Sequence, residues 1–223
     1  MRVENGQLFA NEVRIDFTRC DDLGDTYNFA PKAEDYGKTA KVLKIEGDRI
    51  FTEFFEVKFF KTENLLNFKI KWDNRLKNKL WQVKFVLKNP VTKTFSEDLN
   101  TIIEREFDPN YNLRKNLPKS RGLEAKTNFA PMQRYVGVEG FGVITKGLTE
   151  YEVFQNTLGV TILRSIGVIS NPKNPARTTP AGPPIPVPEA QQLCENTAEF
   201  AIGFFSPKDA ESKIAEVYPI WWE

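Results

Sequence analysis

The sequence predicts an all-β protein, a large antiparallel β-sandwich with little helix. Three observations carry this. Apolar residues recur at every second position in one short segment after another, eighteen phenylalanines supply strand-favouring apolar side chains, and turn residues separate the segments.

The alternation begins with Val13, Ile15 and Phe17 against Arg14, Asp16 and Thr18, a strand with one face buried. The run Ile50–Phe60 is aromatic on both parities and reads as one strand covered on both faces. Leu66, Phe68, Ile70 and Trp72 alternate with Asn67, Lys69 and Lys71. Trp81, Val83, Phe85 and Leu87 alternate with Gln82, Lys84 and Lys88, broken by Val86. A brief helix is allowed around Ser96 to Ile103. Val136–Ile144 and Val160–Ile169 read as later strands, and Phe200, Ile202 and Phe204 as another. Pro207 to Val217 fits two or three helical turns, with Ser206 as N-cap and Pro207 at the first helical position. Between them, 171–190 holds seven of the fourteen prolines and cannot supply a continuous ladder. It reads as a long extended surface connection, with a PxxP ligand as the functional alternative. No internal repeat or flexible linker interrupts the chain, so residues 1–223 read as one domain.

Composition removes several function classes. There is no histidine, which excludes Ser-His-Asp and Cys-His catalysis and His-ligated zinc or iron. Thirty-one basic against thirty acidic residues give a formal charge of +1, with no overall field for nucleic acid or an anionic membrane. No stretch approaches the ~18 apolar residues of a membrane span. The N-terminus lacks a basic-then-apolar export pattern, which favours the cytoplasm without fixing it. Cys20 and Cys194 lie outside any metal-ligand or redox spacing and read as buried free thiols.

Three groups of residues can carry a site. Asp21, Asp22 and Asp25 surround Gly24 in a turn that offers oxygen ligands to Ca²⁺, although Asp-rich turns more often bond their own backbone. Arg164 falls on the apolar parity of Val160, Ile162, Ile166 and Val168, so it needs a carboxylate partner or a polar cleft. The ending Tyr218-Pro219-Ile220-Trp221-Trp222-Glu223 offers a stacking platform for sugar rings, or a patch covered by something beyond a cut polypeptide.

Several segments together resemble the C-terminal region of glycoside hydrolase family 38. Phe129-Ala130-Pro131-Met132-Gln133-Arg134-Tyr135-Val136 is similar to that family's F-P-x-Q-R-[FY]-V strand, and Gly147-Leu148-Thr149-Glu150-Tyr151-Glu152-Val153 to its N-x-G-L-x-E-Y-E-V turn. Thr161-Ile162-Leu163-Arg164-Ser165-Ile166-Gly167 resembles T-L-L-R-S-V-G. Ala181-Gly182-Pro183 with Pro188-Glu189-Ala190-Gln191-Gln192 resembles A-G-P…P-x-A-Q. Asp22 to Pro31 resembles D-x-G-D-x-Y-N-[FY]-x-P. Asp73-Asn74-Arg75-Leu76 and Glu104-Arg105 fall where the family has H-R-L and E-R, with Asn74 replacing the histidine.

The resemblance implies a supersandwich of the galactose-mutarotase-like type. It also implies a parent enzyme, a zinc-dependent retaining α-mannosidase whose zinc and nucleophile belong to an N-terminal domain outside this chain. This chain alone is then expected to be inactive, with no cofactor and no metal of its own. Its partners would be that catalytic domain and an α-mannoside, and homo-oligomerisation is left open. Within the motifs, Tyr27, Arg164 and Asp25 are the residues the resemblance points to for the rim of a sugar site. A free-standing carbohydrate-binding module using Trp221 and Trp222 is the alternative.

Overall fold

The computed structural model describes all residues except 33–36, 100, 119–122 and 223, and the side chains of Arg114 and Trp222. In chain order the strands are β1 (Arg2–Glu4), β2 (Gln7–Ala10), β3 (Val13–Asp21), β4 (Lys38–Thr39), β5 (Val42–Glu46), β6 (Arg49–Thr52), β7 (Glu56–Lys61), β8 (Leu65–Asp73) and β9 (Lys79–Val86). They continue as β10 (Lys93–Asp98), β11 (Thr101–Glu106), β12 (Phe129–Pro131), β13 (Tyr135–Val138), β14 (Phe141–Thr145), β15 (Glu150–Phe154), β16 (Thr157–Ser165) and β17 (Glu195–Gly203). One helix, α1 (Ala210–Val217), follows.

All described pairings are antiparallel, and the strands form two sheets. One runs β1-β2-β3-β9-β16-β15-β12, with β4 pairing β3; the other runs β11-β10-β13-β14-β17-β8-β7-β6-β5. The alternation in the sequence is the cause. Ile15, Phe17, Val83, Phe85 and Val160 turn inward from the first sheet and meet Val57, Phe68, Ile70, Val143, Phe200 and Ile202 from the second. The phenylalanines fill this layer. Phe68 stacks on its cross-strand partner Phe200 at 4.9 Å, and Phe85 reaches Phe141 of the opposite sheet at 5.4 Å. Phe55, Trp72 and Trp81 close one end in edge-on contacts near 5.6 Å. The fold is therefore the sandwich of antiparallel sheets that the pattern predicts.

Helix α1 packs on the outer face of the larger sheet. Ala210, Ile214 and Val217 repeat at helical spacing and bury against Leu65, Tyr135, Ile144 and Ala201. The helix is shorter at its start than the sequence suggests. Pro207–Asp209 forms a 3-10 turn first, and Ser206 makes no side-chain cap bond. No described helix is long and apolar enough to cross a membrane.

Four local expectations are corrected. The run Ile50–Phe60 is a hairpin, because the Thr52 hydroxyl accepts from the N–H groups of Phe54 and Phe55 and turns the chain between β6 and β7. Val136–Ile144 is also a hairpin, turned at Gly140 with φ of +79°. Ser96–Ile103 is not helical, since Ser96 of β10 pairs directly with Ile103 of β11. Cys194 is exposed in the turn before β17, and only Cys20 is buried.

Candidate functional site

The Asp-rich turn after β3, the end of β16 and the proline-rich connection converge at one end of the smaller sheet. Alternation alone puts Arg164 on the apolar side of its strand, and the structure corrects this. The pairs Thr161–Gln82 and Leu163–Trp81 flank one extra residue, Ile162. Ile162 joins the core, the parity flips, and Arg164 pairs with Leu80 on the outer face, where Leu80 packs with Cys20, Phe29 and Leu113. There the Arg164 guanidinium donates from Nε to Asp22 Oδ2 at 2.8 Å and from Nη2 to the Asp25 carbonyl at 2.7 Å.

Asp22 and Asp25 hold the turn from within. Asp22 Oδ1 accepts from the N–H groups of Gly24 and Ala30 at 2.8 and 3.1 Å. Gly24 is required here, because a Cβ would lie 1.9 Å from the Asn28 carbonyl. Asp25 Oδ1 accepts from the N–H groups of Tyr27 and Asn28, and Oδ2 from that of Asn171 at 2.7 Å. Both carboxylates are fully buried.

The partner of Asp25 is Arg177, which the sequence reading missed. It sits in the middle of the proline-rich connection and forms a two-pronged ion pair with Asp25, both side chains almost wholly out of solvent. Arg177 also donates to the Ser170 hydroxyl and the Thr179 carbonyl. The connection is thus more than a surface loop. It is extended as expected, but Asn174, Ala176 and Arg177 are buried, and Val168 and Pro186 bridge its two ends. The one sequence signal for Arg177 was an arginine inside an apolar, proline-rich run.

Burial raises the Asp25 carboxyl, but the Arg177 hydrogen bonds and the backbone donors outweigh it and bring it down to about 2. Asp22 goes the other way. Burial lifts it above its ordinary range, and Arg164 with the two backbone donors only partly opposes this. Glu150, a second residue not singled out beforehand, is also raised by burial, opposed by Arg164 and by the Thr161 hydroxyl, which donates to Oε1 at 2.9 Å.

Glu150 and Arg164 border a cleft of about 350 Å³, whose lining also includes Tyr27, Phe29 and Phe129. That volume is at the lower end of the range for small-molecule sites. Of the three residues pointed to beforehand, Tyr27 and Arg164 line it. Asp25 does not, being enclosed beneath as the anchor of the loop that carries Tyr27. Tyr27 is 54% exposed, its ring lies 5.6 Å from the Arg177 guanidinium, and its phenol points toward Gly182.

The Ca²⁺ reading of the Asp turn meets a different geometry. Asp22 pairs with Arg164, Asp25 with Arg177 and Asp21 with Lys79, so each carboxylate already faces a cation. Zinc does not fit these residues either. The chain has no histidine, and no described group of three His, Cys, Asp or Glu can hold one ion. Asn74 is structural: it is buried, donates to the Gln191 and Gln192 carbonyls and accepts from Leu76 N–H. At the chain end, Trp221 lies half-buried against Tyr218 at 5.4 Å, and its carbonyl accepts from Lys146 at 2.6 Å. The Trp222 side chain is outside the described residues.

No family model and no curated protein sequence matches the chain. Solved structures do. An alpha-mannosidase from Enterococcus faecalis V583 aligns with a TM-score of 0.63 and 18% identity, over 96% of this chain and 30% of that one. A protein in glycosyl hydrolase family 38 from Enterococcus faecalis aligns with a TM-score of 0.64 and 16% identity, over 96% of this chain and 32% of that one. The chain has the fold of one region of these glycoside hydrolases and spans about a third of their length.

Proposed function

We propose that this chain is the non-catalytic C-terminal β-domain of an α-mannosidase-type glycoside hydrolase of family 38, completing the wall of a sugar site built mainly by the rest of its polypeptide. One observation carries the reading: nearly the whole chain superposes on less than a third of each mannosidase-type structure. The ordered family motifs support it. They lie on the segments that build the cleft: Asp22–Pro31 in the turn, Thr161–Gly167 at the end of β16 and Ala181–Pro183 against Tyr27.

In this reading Tyr27 offers its phenol to a sugar hydroxyl, as donor or acceptor. Arg164, held by its bond to Asp22, lines one side of the cleft, and Asp25 positions Tyr27 by holding its N–H. The zinc that the resemblance implies, which would supply Lewis-acid assistance, belongs to the rest of the parent, as does the nucleophile. Retention of anomeric configuration is likewise a property of that part.

The test is reconstitution. The purified chain alone, with Zn²⁺ and an activated aryl α-mannoside, gives no turnover. Co-expressed with the catalytic portion of its parent it restores turnover, and Tyr27→Phe then lowers kcat/KM by about tenfold, the scale of one lost substrate hydrogen bond. Turnover by the chain alone that survives repurification sinks the reading, as does an active catalytic portion indifferent to this chain.

A further inference from the structure

The far end of the sandwich carries a second and larger cleft, which nothing above uses. Strand β9 runs from Lys79, paired with Asp21 and Ser165 at the end that carries the Asp turn (the cradle end), to Val86. Its eight residues span about 25 Å. Beyond it, Leu87 opens into a cavity of about 570 Å³ between the two sheets. Val13, Val91 and Phe141 give it an apolar floor, and Phe204 stands over one side.

Phe204 is unusual. The alternation Phe200, Ile202, Phe204 makes it a core residue, but β17 ends at Gly203 and the Phe204 ring is left 47% exposed. It is not loose: the ring is seated 5.7 Å from that of Phe141, which is buried. The opposite wall, the β9–β10 connection, is fixed as well. Leu87 N–H donates to the Asn156 carbonyl, Asn156 Nδ2 to the Leu87 carbonyl and Val91 N–H to the Gln155 carbonyl, all at 2.6–2.8 Å. A cleft with both walls held needs little ordering to receive a ligand.

We infer that this cleft is a glycan-binding site that takes one or two neutral sugar rings stacked on Phe204. Sugar rings have an apolar C–H face and a rim of hydroxyls, and the cleft mirrors both. The exposed ring faces the first. Around it, Glu12 and Glu139 offer acceptors while Asn89 and Lys88 offer donors, and no side-chain hydrogen bond or ion pair holds any of the four among the described residues. Lys93, also at the rim, is committed to Glu104 at 2.7 Å. With Lys93 taken, Glu12 and Glu139 outweigh Lys88 by one charge, which disfavours an anionic ligand and leaves a neutral one. A phosphate or carboxylate ligand would meet Glu12 and Glu139. The volume lies in the range of small-molecule sites. This site is independent of the role proposed for the Tyr27 cleft and stands or falls separately from it.

Titration of the ¹⁵N-labelled chain with mannobiose, and with cellobiose as a second probe, tests it. Saturable amide shifts from at least one sugar are expected at Lys88, Asn89, Val91, Thr92, Gly140 and Phe204, with a dissociation constant of about 1 mM. Phe204→Ala weakens binding about tenfold while the rest of the spectrum stays native, since the removed ring is half in solvent. Glu139→Gln weakens it by a smaller factor. Absence of saturable shifts with both sugars overturns the inference. So does binding whose shifts centre on Tyr27 or persist unchanged in Phe204→Ala.

Discussion

Arg177 and Asp25 lie 152 residues apart in sequence and form the most enclosed ion pair described in the chain, at 1% and 0% exposure. Removing one partner leaves the other charged, buried and surrounded by dipoles arranged for a pair. Arg177→Ala is therefore expected to cost about 3–5 kcal/mol, read as a drop in the urea midpoint. The same pair shapes the acid limb of stability. Asp25 titrates at about 2 in the fold against 3.8 ordinarily, so its contribution is complete above about 4 and lost as pH falls toward about 2. Asp22 and Glu150 are raised, so their contribution is larger below the ordinary carboxylate range and shrinks as pH rises through their folded values. Urea midpoints measured at about pH 4 and about pH 2 should fall more in the wild type than in Asp25→Asn, which has no carboxylate there to protonate. Half of this network was legible in the sequence. The Asp turn announced itself through Gly24 and clustered carboxylates, and Arg164 through its conflict with its neighbours. Arg177 was hidden, because proline density says that a segment is extended and nothing about which side chain it carries inward.

At the scale of elements, the strands that sequence resolved cleanly are those with one polar face, such as β3, β8 and β9. The misreadings occurred where polarity gave no contrast. Ile50–Phe60 is aromatic on both parities, so its pattern does not show the hairpin that Thr52 Oγ1 turns by accepting two bonds. The bulge at Ile162 is likewise silent in the sequence, yet it decides which face Arg164 occupies. The seat of α1 depends on another such detail. Gly142 of β14 and Gly203 of β17 are cross-strand partners, and the ring of Phe205 lies over both. A Cβ at Gly203 would stand 2.5 Å from Leu65 Cδ2 and 2.7 Å from the Phe205 ring. Gly203→Ala should force that ring off the sheet and loosen α1, a loss of about 1–3 kcal/mol typical of an overfilled core. Faster amide exchange in Ala210–Val217 than in the two sheets would identify the helix as the part released. Uniform loss of protection would show that the helix does not open separately.

The molecule as a whole presents two unlike ends along the same strands. At the cradle end, apolar groups reach solvent together: Leu23 is 45% exposed, Tyr27 54% and Ile185 49%. Their segments are tied side by side, since Thr26 N–H donates to the Ile169 carbonyl and Ile169 N–H to the Ile185 carbonyl. A buried network of ion pairs beneath an apolar surface is a costly way to support a loop that meets only water. Under the proposed function, it holds a rigid docking face for the rest of the polypeptide. The expected consequence separates the two environments. Leu23→Ser combined with Ile185→Ser should let the isolated chain stay monomeric at several-fold higher concentration, because exposed apolar area is removed without disturbing the Asp25–Arg177 pair. In co-expression with the catalytic portion, the same double variant should lower the recovered complex about tenfold, as loss of a central apolar contact does in other interfaces. If the complex instead forms undiminished, the docking face lies elsewhere, and the buried ion pairs serve only the cleft that Tyr27 and Arg164 line.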